Sequence, residues 1–286
     1  MLNAIENIHY SVFMNRLPLI DRARILQMLI EGNSLRTTTG MANVSINTVR
    51  KLLVDVAEVA HAYHDLAVRG IRCRQVHCDE IWCFMVAQVK NAIPEEQAER
   101  WDEVWTWIAI DADTKLCISY LIGGRDEWWA KKFIRDVSGR IRGDVELTTD
   151  RREAYLDAVG HRFGTKVDFA HLKHISGASN EAEMLYSPPK FIGCNMKTVS
   201  GCPCPPNVST SFMERQSLTT RISMPRSTRF TKASSKKVEI YAAAVALHFI
   251  HYNFARLHET LCVTPAMAAG ISDHVWSYGE LAALAT

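Results

Sequence analysis

The sequence of 286 residues contains no run of about 18 uncharged apolar residues, the length that a membrane-spanning helix requires. Its opening, "MLNAIENIHYSVFMNRLPL", lacks the basic head and small-residue cleavage site of a secretory signal. A cytoplasmic protein with no membrane partner is therefore expected. Net charge is also scarce, +2 from 33 basic and 31 acidic residues, too little to announce a polyanion binder by itself. Eight cysteines are present, but without an export signal they do not make a disulfide framework. They also lack zinc-site spacing. Cys73, Cys78 and Cys83, with His77 beside them, fall five apart in a segment that reads as a strand, where such positions face opposite sides. The Cys202–Cys204 pair has no second pair nearby, and no internal repeat is visible.

What is present is a 48% hydrophobic chain, enough to bury a sizeable core, and a charge distribution that is far from even. Between Glu214 and Lys237 the basic residues Arg215, Arg221, Arg226, Arg229, Lys232, Lys236 and Lys237 face a single acid, a local +6 that leaves −4 for the remainder. A solvated basic face explains such a run equally well as a nucleic-acid contact does.

The period of the apolar residues changes near residue 70. Before it, "DRARILQMLIEG" reads as a helix ending at Gly32, a short helix reaches Gly40, and Ser45 caps a longer helix whose Val49, Leu52, Leu53 and Val56 share a face. This is a helix-turn-helix pattern over residues 1–70, with an ordinary three-helix bundle carrying a polar face as the plain alternative. Its second helix would present Asn47, Thr48, Arg50 and Lys51 to base edges and phosphates.

From residue 71 to 286 the pattern is α/β. "CRQVHCDEIWCFMV" reads as a strand, "VWTWIAIDADTKLCISYLIGG" as two strands joined at Asp111 to Thr114, and "DEWWAKKFIRDVSGRI" as an amphipathic helix. "DVELTTD", "REAYLDAVGHRF" and "TKVDFAHL" continue as strand, helix and strand, which makes a mixed sheet flanked by helices. Residues 176–211 read as a long proline-rich loop without periodicity. The apolar "SKKVEIYAAAVALHFIHYNFARLHETL" is expected to pack on the sheet, and "VTPAMAAGISDHVW" to close the domain.

Two acids stand out by position. Asp79 lies among apolar neighbours in the first strand, where a carboxylate is costly unless it is paired or holds a cation. Asp150 ends its strand, at the edge where open α/β sheets bind ligands. A salt-bridged core residue and a helix cap are the plain alternatives. Glu214, in "TSFMERQSLTTR", supplies a third acid, with Arg221 seven residues on. Three converging carboxylates would repel one another unless divalent cations neutralised them, and oxygen ligands of this kind suit Mg²⁺ or Mn²⁺.

The motifs "HCDEIW", "TTDRREAYLDAV", "TSFMERQSLTTR", "SKKVEIYAAAVALHFIHYNFARLHETL" and "TPAMAAG" together resemble the insertion-sequence transposases of the IS1 type, of the DDE superfamily. The likeness runs from about residue 20 to residue 285. It implies a ribonuclease-H-like catalytic domain at 71–286 with Asp79, Asp150 and Glu214 as the catalytic, metal-holding triad, and two Mg²⁺ or Mn²⁺ ions. It implies further that Arg221 braces a phosphate or the acids, and that Asn253, Arg256 and His258 form a downstream signature. Double-stranded DNA, as element ends and as target, would be the partner, bound by a homo-oligomer, with the N-terminal helices reading the ends. Two rival schemes are a DNA-binding regulator or inactive relic, and a nuclease that cuts without joining. Asp111, Asp113 and Asp126 are acids available to either, although the turn position of the first two favours simple solvation.

Overall fold

A computed structural model of the chain describes residues 16–83, 104–150, 153–164, 167–176, 191–204 and 238–285. Three helices come first: α1 (Leu19–Ile30), α2 (Leu35–Ala42) and α3 (Ile46–Ala67). Ser34 caps α2 by accepting from the Thr37 N–H, and Asn43 ends it in the left-handed conformation, φ 51°. Asparagine tolerates that region because its short polar side chain can bond locally. Ser45 then caps α3 by accepting from Thr48 N–H, and α3 buries Val49, Leu52, Leu53 and Val56 on one face. The Ser45 cap falls where the sequence places it, and α2 runs two residues past the expected stop at Gly40.

The sheet follows as β1 (Gln75–Cys83), β2 (Val104–Asp111) and β3 (Cys117–Gly123), then α4 (Glu127–Arg140), β4 (Val145–Asp150), α5 (Glu153–Phe163), β5 (Val167–Ser176) and β6 (Phe191–Ser200). It has six strands in the order β3-β2-β1-β4-β5-β6. β1, β2 and β3 pair antiparallel, β1, β4 and β5 pair parallel, and β6 returns antiparallel to β5. The strand β6 differs from the sequence reading, which places 191–200 inside a loop. The segment "FIGCNMKTVS" alternates too weakly to signal a strand, and the β5 ladder supplies the partner that local pattern cannot show.

The helix α6 (Val238–Phe254) and the short helices α7 (Pro265–Ala268) and α8 (Tyr278–Ala283) complete the described chain. Two layers of helix sandwich the sheet. On one face Trp107 of β2 meets Phe133 of α4 and Tyr155 of α5, with ring centroids 5.7 and 5.6 Å away. On the other, Tyr120 of β3 stacks on Phe249 of α6, and Thr106 bonds the Tyr241 hydroxyl at 2.6 Å. At Gly123 an added Cβ would lie 2.1 Å from the Trp129 ring, so only glycine lets α4 fold back against β3 this closely.

The N-terminal helices share this core. α3 packs along α6, α1 packs against α8, and the guanidinium of the buried Arg22 donates to the Ala282 carbonyl at 3.1 Å. One continuous apolar cluster runs from Ala23 to Ala285. No helix among the described residues is long and apolar enough to cross a membrane.

Candidate functional site

β1 and β4 lie side by side at the centre of the sheet and run parallel, in a register that pairs His77 with Thr148 and Cys78 with Thr149. One step further along that register sets Asp79 opposite Asp150. Opposed residues of a parallel pair point to the same face, and neighbouring strands are about 4.8 Å apart. The two carboxylates are therefore neighbours on one face of the sheet, although 71 residues separate them in the chain. Both side chains are half-buried, and Asp150 is the last residue of its strand. The Glu80 N–H donates to Asp79 Oδ1 at 2.8 Å, which orients the carboxylate.

The pair directly below consists of His77 and Thr148, both buried. Burial pulls the His77 imidazole down to about 4, helped by the charge of Lys115, so the ring beneath the acids is neutral at physiological pH. It carries no positive charge to cancel them.

Alternation sends Glu80 to the opposite face, where its side chain is 1% exposed and Arg125 approaches to 3.4 Å. The Arg125 guanidinium in turn lies 3.6 Å from the centre of the Trp105 ring, a cation–π stack. Tyr155 and Cys78 report the field of this strand. Both are pushed well above their ordinary pKa values, by burial first and then by the charge of Glu80, with Asp79 adding to it. The middle of β1 thus carries two carboxylates, one facing each layer.

Two carboxylates on adjacent strands, open enough to meet solvent, fit Mg²⁺ or Mn²⁺, which are held through one or two carboxylates and completed by water and phosphate oxygens. Among the described residues no group of three His, Cys, Asp or Glu side chains gathers there. The third expected acid, Glu214, lies outside the described residues, as do Arg215, Arg221, Arg226 and Arg229.

The other expected residues fall elsewhere. Asn47, Arg50 and Lys51 are exposed on the first turns of α3, where Lys51 pairs with Asp55 at 2.5 Å and Thr48 hydrogen-bonds to Ser45. Asn253 is fully buried at the far end of α6: its Oδ1 accepts from the Cys117 N–H and its Nδ2 donates to the Cys117 carbonyl, both at 2.9 Å. That clamp sits on β3, two strands across from β1 and level with His77 rather than with the acids. Arg256 is exposed beyond the helix end, and His258 organises the next turn through backbone bonds to Val263 and Cys262. Of these three, Asn253 is thereby committed to the β3 backbone.

Of the rival acids, Asp111 is not a solvated turn residue. It is buried, accepts from the Thr114 hydroxyl at 2.6 Å and the Asp113 N–H at 3.1 Å, and so builds the β2–β3 turn. Burial raises its pKa, and those two bonds oppose the rise. Asp113 pairs with Arg74 at 3.1 Å, and Asp126 caps α4 by accepting from the Trp129 N–H. Sequence reasoning passed over Glu80 and Arg125. The acid immediately after Asp79 in an alternating strand is the signal for Glu80, whereas Arg125 comes from a turn beyond the next hairpin and has none. The chain matches no protein-family model and no curated protein.

Proposed function

We propose that the protein is a DNA transposase of the DDE superfamily, which cuts DNA at insertion-sequence ends and joins the 3′-hydroxyls to target DNA. The observation that carries this reading is the register that sets Asp79, in the middle of β1, beside Asp150, at the carboxyl end of the parallel neighbour β4. The strand order, three antiparallel strands followed by two parallel ones, is compatible with a ribonuclease-H-like domain, and β6 extends it at one edge. The motif resemblance supplies the reaction type.

In this reading Asp79 and Asp150 are the residues that would hold the metal. Divalent ions bound there would lower the pKa of an attacking water and stabilise the attacking and leaving oxygens of an in-line displacement. The protein's own contribution is positional. The two strands fix the spacing of the carboxylates, and the Glu80 N–H orients Asp79. Glu214 is assigned the third position on the motif "TSFMERQ", and the cations that follow it, Arg215, Arg221, Arg226 and Arg229, suit a phosphate backbone. The exposed Asn47, Arg50 and Lys51, with Thr48, suit recognition of the element's ends by α3 as the second helix of a helix-turn-helix.

The test is cleavage and joining of DNA that carries the element's ends, in Mg²⁺ or Mn²⁺. Asp79→Asn and Asp150→Asn should abolish both products and leave DNA binding unchanged. Nicking without any joined product would favour a nuclease of the same fold. Sequence-specific binding with no strand broken would favour a regulator or an inactive copy.

A further inference from the structure

We infer that α3 is a ruler: the base pairs read by its first turns lie about six to seven base pairs along the same duplex from the phosphates that face Asp79 and Asp150 of the same subunit. This rests on the reading of α3 as a DNA reader and of the two acids as a strand-cutting site. The geometry between the two is what the structure adds.

α3 is one uninterrupted helix from Ile46 to Ala67, and its last turns are fastened to the sheet layer. His61 Nδ1 and the Tyr120 hydroxyl of β3 share a hydrogen bond at 3.0 Å, and His64 Nε2 bonds to the Cys117 carbonyl at 3.0 Å. Arg140, the last residue of α4, donates to Asp65 at 2.6 Å and to the Val68 carbonyl at 3.2 Å. Asn47, Arg50 and Lys51 are exposed at the other end of the same rod. The reader is therefore joined to the sheet by a rigid element and not by a tether.

Reader and acids share a face and an end of the sheet. Asp79 opposes Ile108 on β2, and Ile108 opposes Tyr120 on β3. Opposed residues point to one face, so Tyr120, with α3 and α6 over it, is on the face that carries Asp79 and Asp150. Along α6, Asn253 meets Cys117, level with His77, whereas Tyr241 meets Thr106, whose partner Ile81 lies past Asp79. α6 thus begins at the carboxyl end of β1. α3 runs the same way: His64 is at Cys117, His61 reaches Tyr120 further along β3, and Tyr63 meets Phe254 with ring centroids 5.4 Å apart. Asn47 precedes His61 by 14 residues, about 21 Å of helix, and Tyr120 is two strands from Asp79, about 10 Å. Reader and acids are then roughly 20–25 Å apart, and a duplex advances about 3.4 Å per base pair.

The experiment uses the full chain on DNA that carries the element's ends. Protection from hydroxyl radicals, weakened about tenfold in Arg50→Ala, finds the segment read. An iron–EDTA group tethered to Asp150→Cys finds the base pairs at the acids with no metal in the site, and the unsubstituted chain labelled in the same way controls for the exposed Cys202, Cys204 and Cys262. Tethered scission should centre about six to seven base pairs from the middle of the protection, and inserting about five base pairs, half a helical turn, between the two should leave that interval unchanged. Scission that keeps its sequence position after the insertion, or an interval twice as long, would overturn the inference. A chain carrying both the tether and Arg50→Ala should gain no scission when mixed with unlabelled wild type; a gain would mean that one subunit reads and another meets the acids, and would also overturn it. Protection that Arg50→Ala leaves unchanged would overturn it by removing the reader. Scission at the expected interval, with no nick from unmodified protein in Mg²⁺ or Mn²⁺, would support the ruler and remove the catalytic reading of the acids.

Discussion

The two ends of the sheet use the same kinds of side chain to opposite purposes. At the amino end of β1 the polar groups are saturated by one another. Asp111 holds its own turn, Asn253 clamps the Cys117 backbone in both directions, and the buried Arg140 binds Asp136 and Asp65, each at 2.6 Å, and the Val68 carbonyl at 3.2 Å. Toward the other end Asp79 and Asp150 share a face with a neutral histidine below them, and Arg125 binds Glu80 on the opposite side. Polar groups at the first end hold the fold. At the second, two carboxylates stand side by side on adjacent strands, an arrangement of the kind that suits a divalent cation.

The comparison is tested most severely at the acids. Asp79→Asn or Asp150→Asn is expected to cut strand cleavage by roughly a thousandfold, the equivalent of a few kcal/mol of lost metal-assisted stabilisation. Neither change should lower the urea midpoint; a loss of stability in either variant would place that acid with the structural group instead.

Acid is expected to destabilise the protein. Burial lowers His64, His77 and His251 to about 4 and His248 to about 3, against 6.5 in an unfolded chain. The folded state resists protonation that the unfolded state accepts, so this stability is complete above pH 6.5 and is lost as pH falls toward 4. Each tenfold difference in proton affinity is about 1.4 kcal/mol, so urea denaturation between pH 7 and pH 5 should show a steep decline. His248→Phe should flatten it.

Asn253→Ala should cost about 2–3 kcal/mol in chemical denaturation, because it strips a buried N–H of its acceptor while His64 still serves the Cys117 carbonyl. Its effect on cleavage should track only the folded fraction. A loss of cleavage in well-folded Asn253→Ala would break the division between the two ends.

The smallest effect is at the surface near α8, where His274 lies between Asp273 and Glu280, each at 2.6 Å. These bonds raise the His274 pKa above 6.5, so their contribution is complete below pH 6.5 and disappears as pH rises through the raised value. Glu280 is lowered to about 2, chiefly by the Ser277 backbone N–H and then by His274, so its share survives until strong acid. His274→Gln should alter stability slightly at pH 6 and not at all at pH 9.

Much of this architecture was legible locally. The cap at Ser45 and the β2–β3 turn follow from side chains that bond within three residues of themselves. The apolar α6 was legible as a helix buried on the sheet for the same reason, since its circumference has almost no polar face. β6 was not, because a strand whose stability comes from the ladder beside it carries little signal of its own. Asp79 and Asp150 could be singled out one at a time, by burial cost and by strand end, but nothing in either segment states the register between them.

The sequence by itself determined where helices start and stop, which faces are apolar and which residue types are available for phosphate chemistry, because those depend on neighbours a few positions away. Only the tertiary structure decided that β4 lies against β1 in the register that pairs Cys78 with Thr149, and hence that two acids far apart in the chain become neighbours. It also decided that Glu80 turns away to Arg125 and that Asn253 serves the backbone rather than the acids. Parallel strands joined through a distant crossover share no local contacts, so their register is set by how the helices fill both faces of the sheet at once.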